Sequence, residues 1–303
     1  MKGPRRPART ERAPSTLSVP LRNVGAVQGQ LGFDAMPAKL VKVTPSKLAT
    51  WADCPRRYRM AYVDRPTPPR GGAFAHNTLG AVVHNALRAF YDLPVGRRTP
   101  EMAAAMVSQH WKDEGFQHPK QAAVYRERAT GWVVDYISNV DVTDDPVGLE
   151  RWVSAPAGKL IVEGRVDRID ERDGEIVIVD YKTGRHALTT DDARGSQALA
   201  LYVIAARRTL RRPCTRVELH HLPSGTVAAW EHTDESLARH QKRAQESAED
   251  FQLATDTLAA GGDPDVLFPP QPGRQCGWCD FRRSCPEGQS AMPADEPWAM
   301  LVP

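Results

Sequence analysis

The chain reads as an α/β fold, a mixed central sheet flanked by helices, and three observations predict it. Residues 159–170 and 175–181 are dense in Val and Ile, with Arg172-Asp173-Gly174 between them, the composition of a strand pair closed by a tight turn. Stretches before and after, at about 77–91, 100–114, 121–138, 192–211 and 234–260, space their apolar residues as amphipathic helices do. A second strand pair, 215–222 and 226–231, brackets Pro223-Ser224-Gly225 between the last two of those helices. Strands interleaved with helices call for a sheet covered by helices.

The elements follow in order. Residues 1–37 are rich in Arg and Pro with almost no apolar periodicity, and read as a disordered basic tail. Leu40-Val41-Lys42-Val43 is a short extended piece leading into Thr44-Pro45-Ser46, a helix start with Pro near its first position. That helix carries Leu48, Trp51 and Ala52, meets Cys54-Pro55, and resumes over 56–63. A Pro/Gly linker covers 65–72. On the helix at 77–91, Leu79, Val82, Val83, Leu87 and Phe90 share one side. Residues of about 92–150 form a helical insertion before the strand pair. The body of the domain spans 38–290, and 291–303 is a C-terminal tail.

The bulk numbers narrow the function classes. A chain of 303 residues fits one large domain or two modest ones. A net charge of +3 is too small to argue nucleic-acid binding by itself. No apolar run is long enough to cross a membrane or form a signal-peptide core, so a cytoplasmic location without a membrane partner is expected. Five cysteines in such a chain suggest metal ligation rather than disulfides.

The chemistry lies in two acidic stations, Gly164-Arg165-Val166-Asp167-Arg168-Ile169-Asp170 and Ile178-Val179-Asp180-Tyr181-Lys182-Thr183-Gly184. Asp167 can meet Asp180 across neighbouring strands. Lys182 shares the strand parity of Asp180 and points into the same site. Hard cations prefer carboxylate and carbonyl oxygen, so the two aspartates and the main-chain carbonyl of Tyr181 are candidate ligands. A cation there neutralises phosphate oxygens and acidifies water, while a lysine orients or deprotonates that water. Asp170, Glu171, Arg172 and Asp173 read as ordinary surface charges of the hairpin. His84 alone would read as a core histidine on an apolar helix face.

Sulfur is concentrated too. Cys276-Gly277-Trp278-Cys279 and Cys285-Pro286 sit in polar, glycine-rich sequence that cannot build an apolar core. Three thiolates need a fourth, and Cys54 is the candidate; Cys214 reads as a small core residue. Four thiolates suit zinc or a 4Fe–4S cluster.

Taken in order, Gly80-x3-His84, Gly164-Arg165-x-Asp167-Arg168-x-Asp170 and Asp180-Tyr181-Lys182-Thr183-Gly184 resemble the PD-(D/E)xK nuclease superfamily. Within it the chain is similar to the RecB-like exonuclease branch, which includes AddB-type and CRISPR-associated adaptation nucleases. The resemblance spans roughly 40–290 and implies a restriction-endonuclease-like core. It implies that His84, Asp167 and Asp180 bind Mg²⁺ or Mn²⁺ and that Lys182 is catalytic. It also implies a Gln and a Tyr four residues apart on the following helix. Here Gln197 and Tyr202 are five apart, a further rotation of about 100°. Gln197 keeps its place at the site, whereas Tyr202 reads equally as a core aromatic. The arrangement of one cysteine upstream and three downstream resembles that branch's iron–sulfur clasp, so a 4Fe–4S cluster on Cys54, Cys276, Cys279 and Cys285 is expected over zinc.

The expected function is metal-dependent cleavage of DNA, exonucleolytic on single-stranded ends and without sequence specificity, in repair or recombination. Basic pairs at Arg56-Arg57, Arg207-Arg208, Arg211-Arg212 and Arg282-Arg283, with Arg59, would form a collar tracking phosphates. Tyr58, Trp278 and Phe281 would stack bases. No G-x-x-x-x-G-K-[ST] phosphate loop occurs, so unwinding would need a separate helicase. The alternatives are a catalytically silent DNA-binding module of the same fold, a CRISPR adaptation nuclease and a zinc-organised structural protein.

Overall fold

The computed structural model describes residues 40–301, together with Gly3; the expected basic tail lies outside the described residues. Its centre is one mixed sheet of six strands: β1 (Val41–Val43), β2 (Gly148–Ala157), β3 (Leu160–Arg172), β4 (Glu175–Lys182), β5 (Arg216–His221) and β6 (Thr226–Glu231). β3 is the spine. It pairs antiparallel with β2 along one side, and on the other with β1 (parallel) at its start and β4 (antiparallel) at its end. β4 continues parallel to β5, and β5 antiparallel to β6. The β3–β4 turn is the expected Asp-Gly turn, with both Asp173 (φ 53°) and Gly174 (φ 83°) left-handed.

Helices cover both faces. On one side lie α1 (Pro45–Asp53), α7 (Gln197–Leu210) and α8 (Asp234–Ala259), whose Leu48, Leu201 and Phe251 pack with Val162, Ile176 and Ile178. On the other lie α3 (Ala75–Tyr91), α4 (Pro100–His110) and α5 (Pro119–Asn139), whose Leu87, Val107 and Val133 pack with Val177, Val179 and Tyr181. Alternate residues of β4 thus feed two separate cores, which is why this strand reads as an unbroken apolar run. Short helices complete the chain: α2 (Pro55–Tyr58), α6 (Thr190–Gly195), α9 (Pro264–Leu267) and α10 (Pro286–Ala291). Among the described residues no helix is long and apolar enough to cross a membrane.

Several expectations are corrected. The stretch before Lys159, given no strand by the sequence reading, forms β2, which begins at Gly148 within the last residues of the expected 92–150 insertion. The helix expected over 192–211 is two helices broken at Ser196, whose extended backbone (ψ 104°) lets its hydroxyl accept from Leu199 N–H and cap α7. The hairpin charges are not all at the surface. Asp170 is buried and grips Arg168 through two 2.6 Å bonds, and Arg172 bridges Asp170 to buried Glu218. Residues 292–301, read as a tail, are docked: Ala75 N–H donates to Pro297 O, and Leu301 is buried.

Candidate active site

The site forms where β3 and β4 diverge. Their last paired residues are Arg168 and Val179, so one step further Asp167 stands opposite Asp180, as expected. α3 crosses this end of the sheet and lowers His84 onto it. Gly80 sets the distance of approach, because a Cβ there would stand 3.3 Å from Thr183 Oγ1.

His84 is held at both ring nitrogens. Nε2 donates to the carbonyl of Tyr181 at 3.1 Å, and Nδ1 faces Asp167 Oδ2 at 3.4 Å. Neutral imidazole has one N–H. With that proton given to a carbonyl, Nδ1 turns a lone pair toward a carboxylate, which only a second proton or an intervening cation satisfies. Asp167 Oδ2 also accepts the Tyr181 N–H at 3.0 Å. Lys182 Nζ stands 2.5 Å from Asp180 Oδ2, yet that buried oxygen has no hydrogen bond of good geometry.

The charges split the carboxylate pair. Burial pushes Asp167 up, but the hydrogen bond and charge of His84 outweigh it and hold the group below its ordinary value. Burial dominates at Asp180 and, with the negative charge of Asp167, holds it above its ordinary value against the pull of Lys182. Burial lowers His84, and the bond and charge of Asp167, then Asp180 and Glu150, more than reverse that.

Glu150, on β2, was missed by sequence reasoning. The β2–β3 register places it opposite Asp167, between the pairs Leu149–Arg168 and Arg151–Val166. Its ligand oxygen, one from Asp167 and one nitrogen of His84 lie within 4.8 Å of one another, the one such group among the described residues. Burial and the charge of Asp167 raise it, against Arg165.

Gln197 and Tyr202 both lie on α7, and Tyr202 packs against the core on that side of the sheet, as its reading as a core aromatic expects. Gln197, at the start of α7, is half-buried and makes no hydrogen bond to His84, Asp167, Asp180 or Lys182. Tyr202 packs closely against Gly164: a Cβ at that glycine would come within 2.7 Å of its ring. Its phenol is pushed up to about 12 by burial and then by the charges of Asp180 and Asp167.

A cleft of about 830 Å³ opens beside the site, and His84, Lys182, Arg165, Arg185, Arg274 and Trp278 are among those lining it. Among the described residues Arg185 donates to the carbonyls of Leu301 and Ala299 and forms no ion pair. The collar expected from the other arginines is largely neutralised instead. Arg56 pairs with Glu287 and Asp265, Arg57 with Asp53, Arg59 with Asp64, and Arg212 with Glu171. Tyr58 and Phe281 are buried in the fold; of the three expected stacking aromatics, Trp278 faces the cleft.

Cys54, Cys276, Cys279 and Cys285 line one small pocket, with Cys54 at the α1–α2 junction and the others around two 3₁₀ turns. Gly288 closes it: a Cβ there would stand 3.4 Å and 3.6 Å from the sulfurs of Cys285 and Cys276. Burial raises the thiols of Cys279 and Cys285, while Arg57 and Arg56 pull the other way. Cys214 is fully buried in the core, and its thiol is pushed up to about 12. Four soft donors around one pocket fit a metal centre; His84 with the carboxylates fits a hard divalent cation.

Over residues 42–286 the sequence matches the family described as the PD-(D/E)XK nuclease superfamily. Among solved structures, that of SSO0001 overlaps with a TM-score of 0.35 at 15% identity, covering 83% of this chain and 87% of that one. A provisionally named exonuclease from Eubacterium rectale overlaps with a TM-score of 0.34 at 10% identity, covering 69% of this chain and 91% of that one. No curated protein matches the chain.

Proposed function

The chain belongs to the PD-(D/E)XK nuclease superfamily, and on that footing we propose that it is a metal-dependent DNA exonuclease of the RecB-like branch, acting on single-stranded ends in repair or recombination. The observation that carries this reading is the convergence of His84, Asp167, Asp180 and Lys182 at the diverging ends of β3 and β4. His84, Asp167, Asp180 and the Tyr181 carbonyl would hold Mg²⁺ or Mn²⁺. When bound, such a cation neutralises phosphate oxygens and acidifies the attacking water. Lys182, on the same strand face as Asp180, orients that water and offsets charge growing on the phosphoryl oxygens. Tyr202, packed against Gly164 on β3, would close one side of the site.

Arg185 and Arg274 line the cleft as phosphate contacts, and Trp278 offers an aromatic face to an unpaired base. None of these reads base edges, which suits a nuclease without sequence preference.

The second part of the proposal is a 4Fe–4S cluster on Cys54, Cys276, Cys279 and Cys285. A zinc ion with Zn–S bonds of about 2.3 Å would draw its sulfurs to roughly 3.8 Å. A 4Fe–4S cluster is larger and would be held by the same four thiolates around their shared pocket. The cluster would tie the α1–α2 junction to the C-terminal knuckle, and so hold Arg274 and Trp278 in the cleft wall. A cytoplasmic location suits these free thiols, and a separate helicase would supply any unwinding.

The test is cleavage of end-labelled single-stranded DNA by anaerobically purified protein with Mg²⁺ or Mn²⁺, beside Lys182→Ala. The expected result is a product ladder from the wild type and none from the variant, with DNA affinity retained. No cleavage by the wild type, with DNA binding intact, would overturn the enzyme in favour of a silent DNA-binding module.

A further inference from the structure

Glu150 lies outside the ligand set that the sequence motifs supply, and three features of its position go beyond an ordinary surface charge. It is a non-glycine residue at φ 46° in the middle of β2. At this point side-chain parity reverses along the strand: Leu149 packs with the α3 side of the sheet, whereas Val153, Ala155 and Ala157 pack with the α7 side. β3 reverses opposite it, with Val166 and Ile169 both in the α7-side core. The kink delivers a carboxylate with 9% of its side chain exposed to within 4.8 Å of the ligand atoms of His84 and Asp167. Across Asp167, the buried Asp180 Oδ2 is met by Lys182 Nζ at 2.5 Å without good hydrogen-bond geometry.

A hard cation bonds oxygen at about 2.0–2.6 Å, so one ion can bridge donors that far apart. The neighbour that now holds Glu150 is Arg165, with Nε 2.8 Å from Oε2. Arg165 approaches from the solvent side, its side chain 64% exposed, and it lines the cleft.

We propose that Glu150 is a direct ligand of the divalent cation beside His84 and Asp167, and that Arg165 is its exchangeable counter-ion in the metal-free protein. Metal loading neutralises Glu150 and releases Arg165. The freed guanidinium, still anchored beside Asp167 on β3, then turns to a phosphate in the cleft. Metal therefore binds before nucleic acid and prepares its site. The proposal rests on reading the site as metal-dependent.

The alternative role for Glu150 is a fold-holding pair with Arg165 across β2 and β3. The two roles differ in sign. If the pair only holds the strands in place, breaking it from either side disturbs the site, and both variants bind metal more weakly. If Arg165 competes with the cation for Glu150, removing Arg165 tightens metal binding.

The experiment is calorimetric titration of metal-free protein with Mn²⁺, on the wild type, Glu150→Gln, Glu150→Gly and Arg165→Ala, with the apo melting temperature of each as a control. Glu150→Gly suits the left-handed backbone, and its apo melting temperature separates a loss of affinity from a loss of fold. The expected result is a tenfold or greater weakening in both Glu150 variants and at least a threefold tightening in Arg165→Ala. Affinity within twofold of wild type in Glu150→Gln, or weaker binding in Arg165→Ala, overturns the assignment. Absence of Mn²⁺ binding by the wild type would instead overturn the metal-dependent reading and carry this proposal with it.

Discussion

Asp170 and Arg168 allow the buried polar cluster beside the site to be tested by a double-mutant cycle. Both are nearly inaccessible, and each is satisfied differently. Arg168 gives Nε and Nη2 to Asp170 at 2.6 Å, and Nη1 to Tyr91 OH at 2.6 Å, with Tyr136 and Tyr181 hydroxyls at 3.3 Å. Asp170 has a second cation, Arg172, at 3.1 Å. Asp170→Leu therefore leaves a buried guanidinium facing only neutral hydroxyls, whereas Arg168→Met leaves a carboxylate that still has a partner. Stranding one member of a buried pair costs about 3–5 kcal/mol. At about 2–4 °C per kcal/mol for a domain of this size, Asp170→Leu should lower the melting temperature by roughly 6–20 °C. Arg168→Met should lose less. The double variant should recover at least half of the Asp170→Leu loss, because removing both charges removes the stranded one. Calorimetric melting of the four proteins at neutral pH checks this. A fall of under 2 °C in Asp170→Leu, or losses that simply add in the double variant, would refute the reasoning.

Three further outcomes are expected. Cys279→Ala should lose the iron and the brown colour of the anaerobic protein together with several degrees of melting temperature; unchanged iron content and stability would remove Cys279 from the clasp. His232 and His240 meet edge to face with a ring nitrogen of each buried and unbonded, and burial holds His232 down to about 4 and lowers His240. Both are neutral in the folded and unfolded states above about pH 6.5, so this contribution is intact there. It is lost as pH falls from 6.5 toward 4, because the unfolded chain takes up protons that the folded one refuses. Urea midpoints measured across that window should fall more steeply for the wild type than for His232→Phe, and equal slopes would exclude the pair as the source. Gly164→Ala should push Tyr202 off β3 and lower cleavage at least tenfold while DNA affinity holds, since the new methyl would sit 2.7 Å from the ring. Wild-type cleavage by that variant would show that the ring's position is immaterial.

Legibility along the chain followed local signal strength. β3, β4 and their turn were readable because a two-sided strand needs Val and Ile on both faces and the Asp-Gly turn has few other uses. β2 was not. It pairs with β3 alone, four of its residues are Ser154, Ala155, Pro156 and Ala157, and its odd positions alone enter the α7-side core. Such an edge strand has weak β-propensity and owes its conformation to its partner. The break between α6 and α7 was hidden similarly, since apolar periodicity runs through it and only the capping hydroxyl of Ser196 marks the restart.

The candidate site divides along the same line. His84, Asp167, Asp180 and Lys182 lie in short motifs whose spacing alone sets their relation, and the structure brings these four together. Tyr202 was judged by helical angle, yet its ring is placed by the missing Cβ of Gly164, a contact between elements that no single-helix argument contains. Glu150 failed for want of a register. The information was in the chain: Gly158, at φ 61°, and Lys159 form a two-residue turn between the paired Ala157 and Leu160. Counting outward from that turn pairs Leu149 with Arg168 and sets Glu150 against Asp167. A glycine with positive φ thus determines, eight residues away, which acid faces the site; a one-residue insertion between 151 and 157 would shift the pairing and turn Glu150 away from His84.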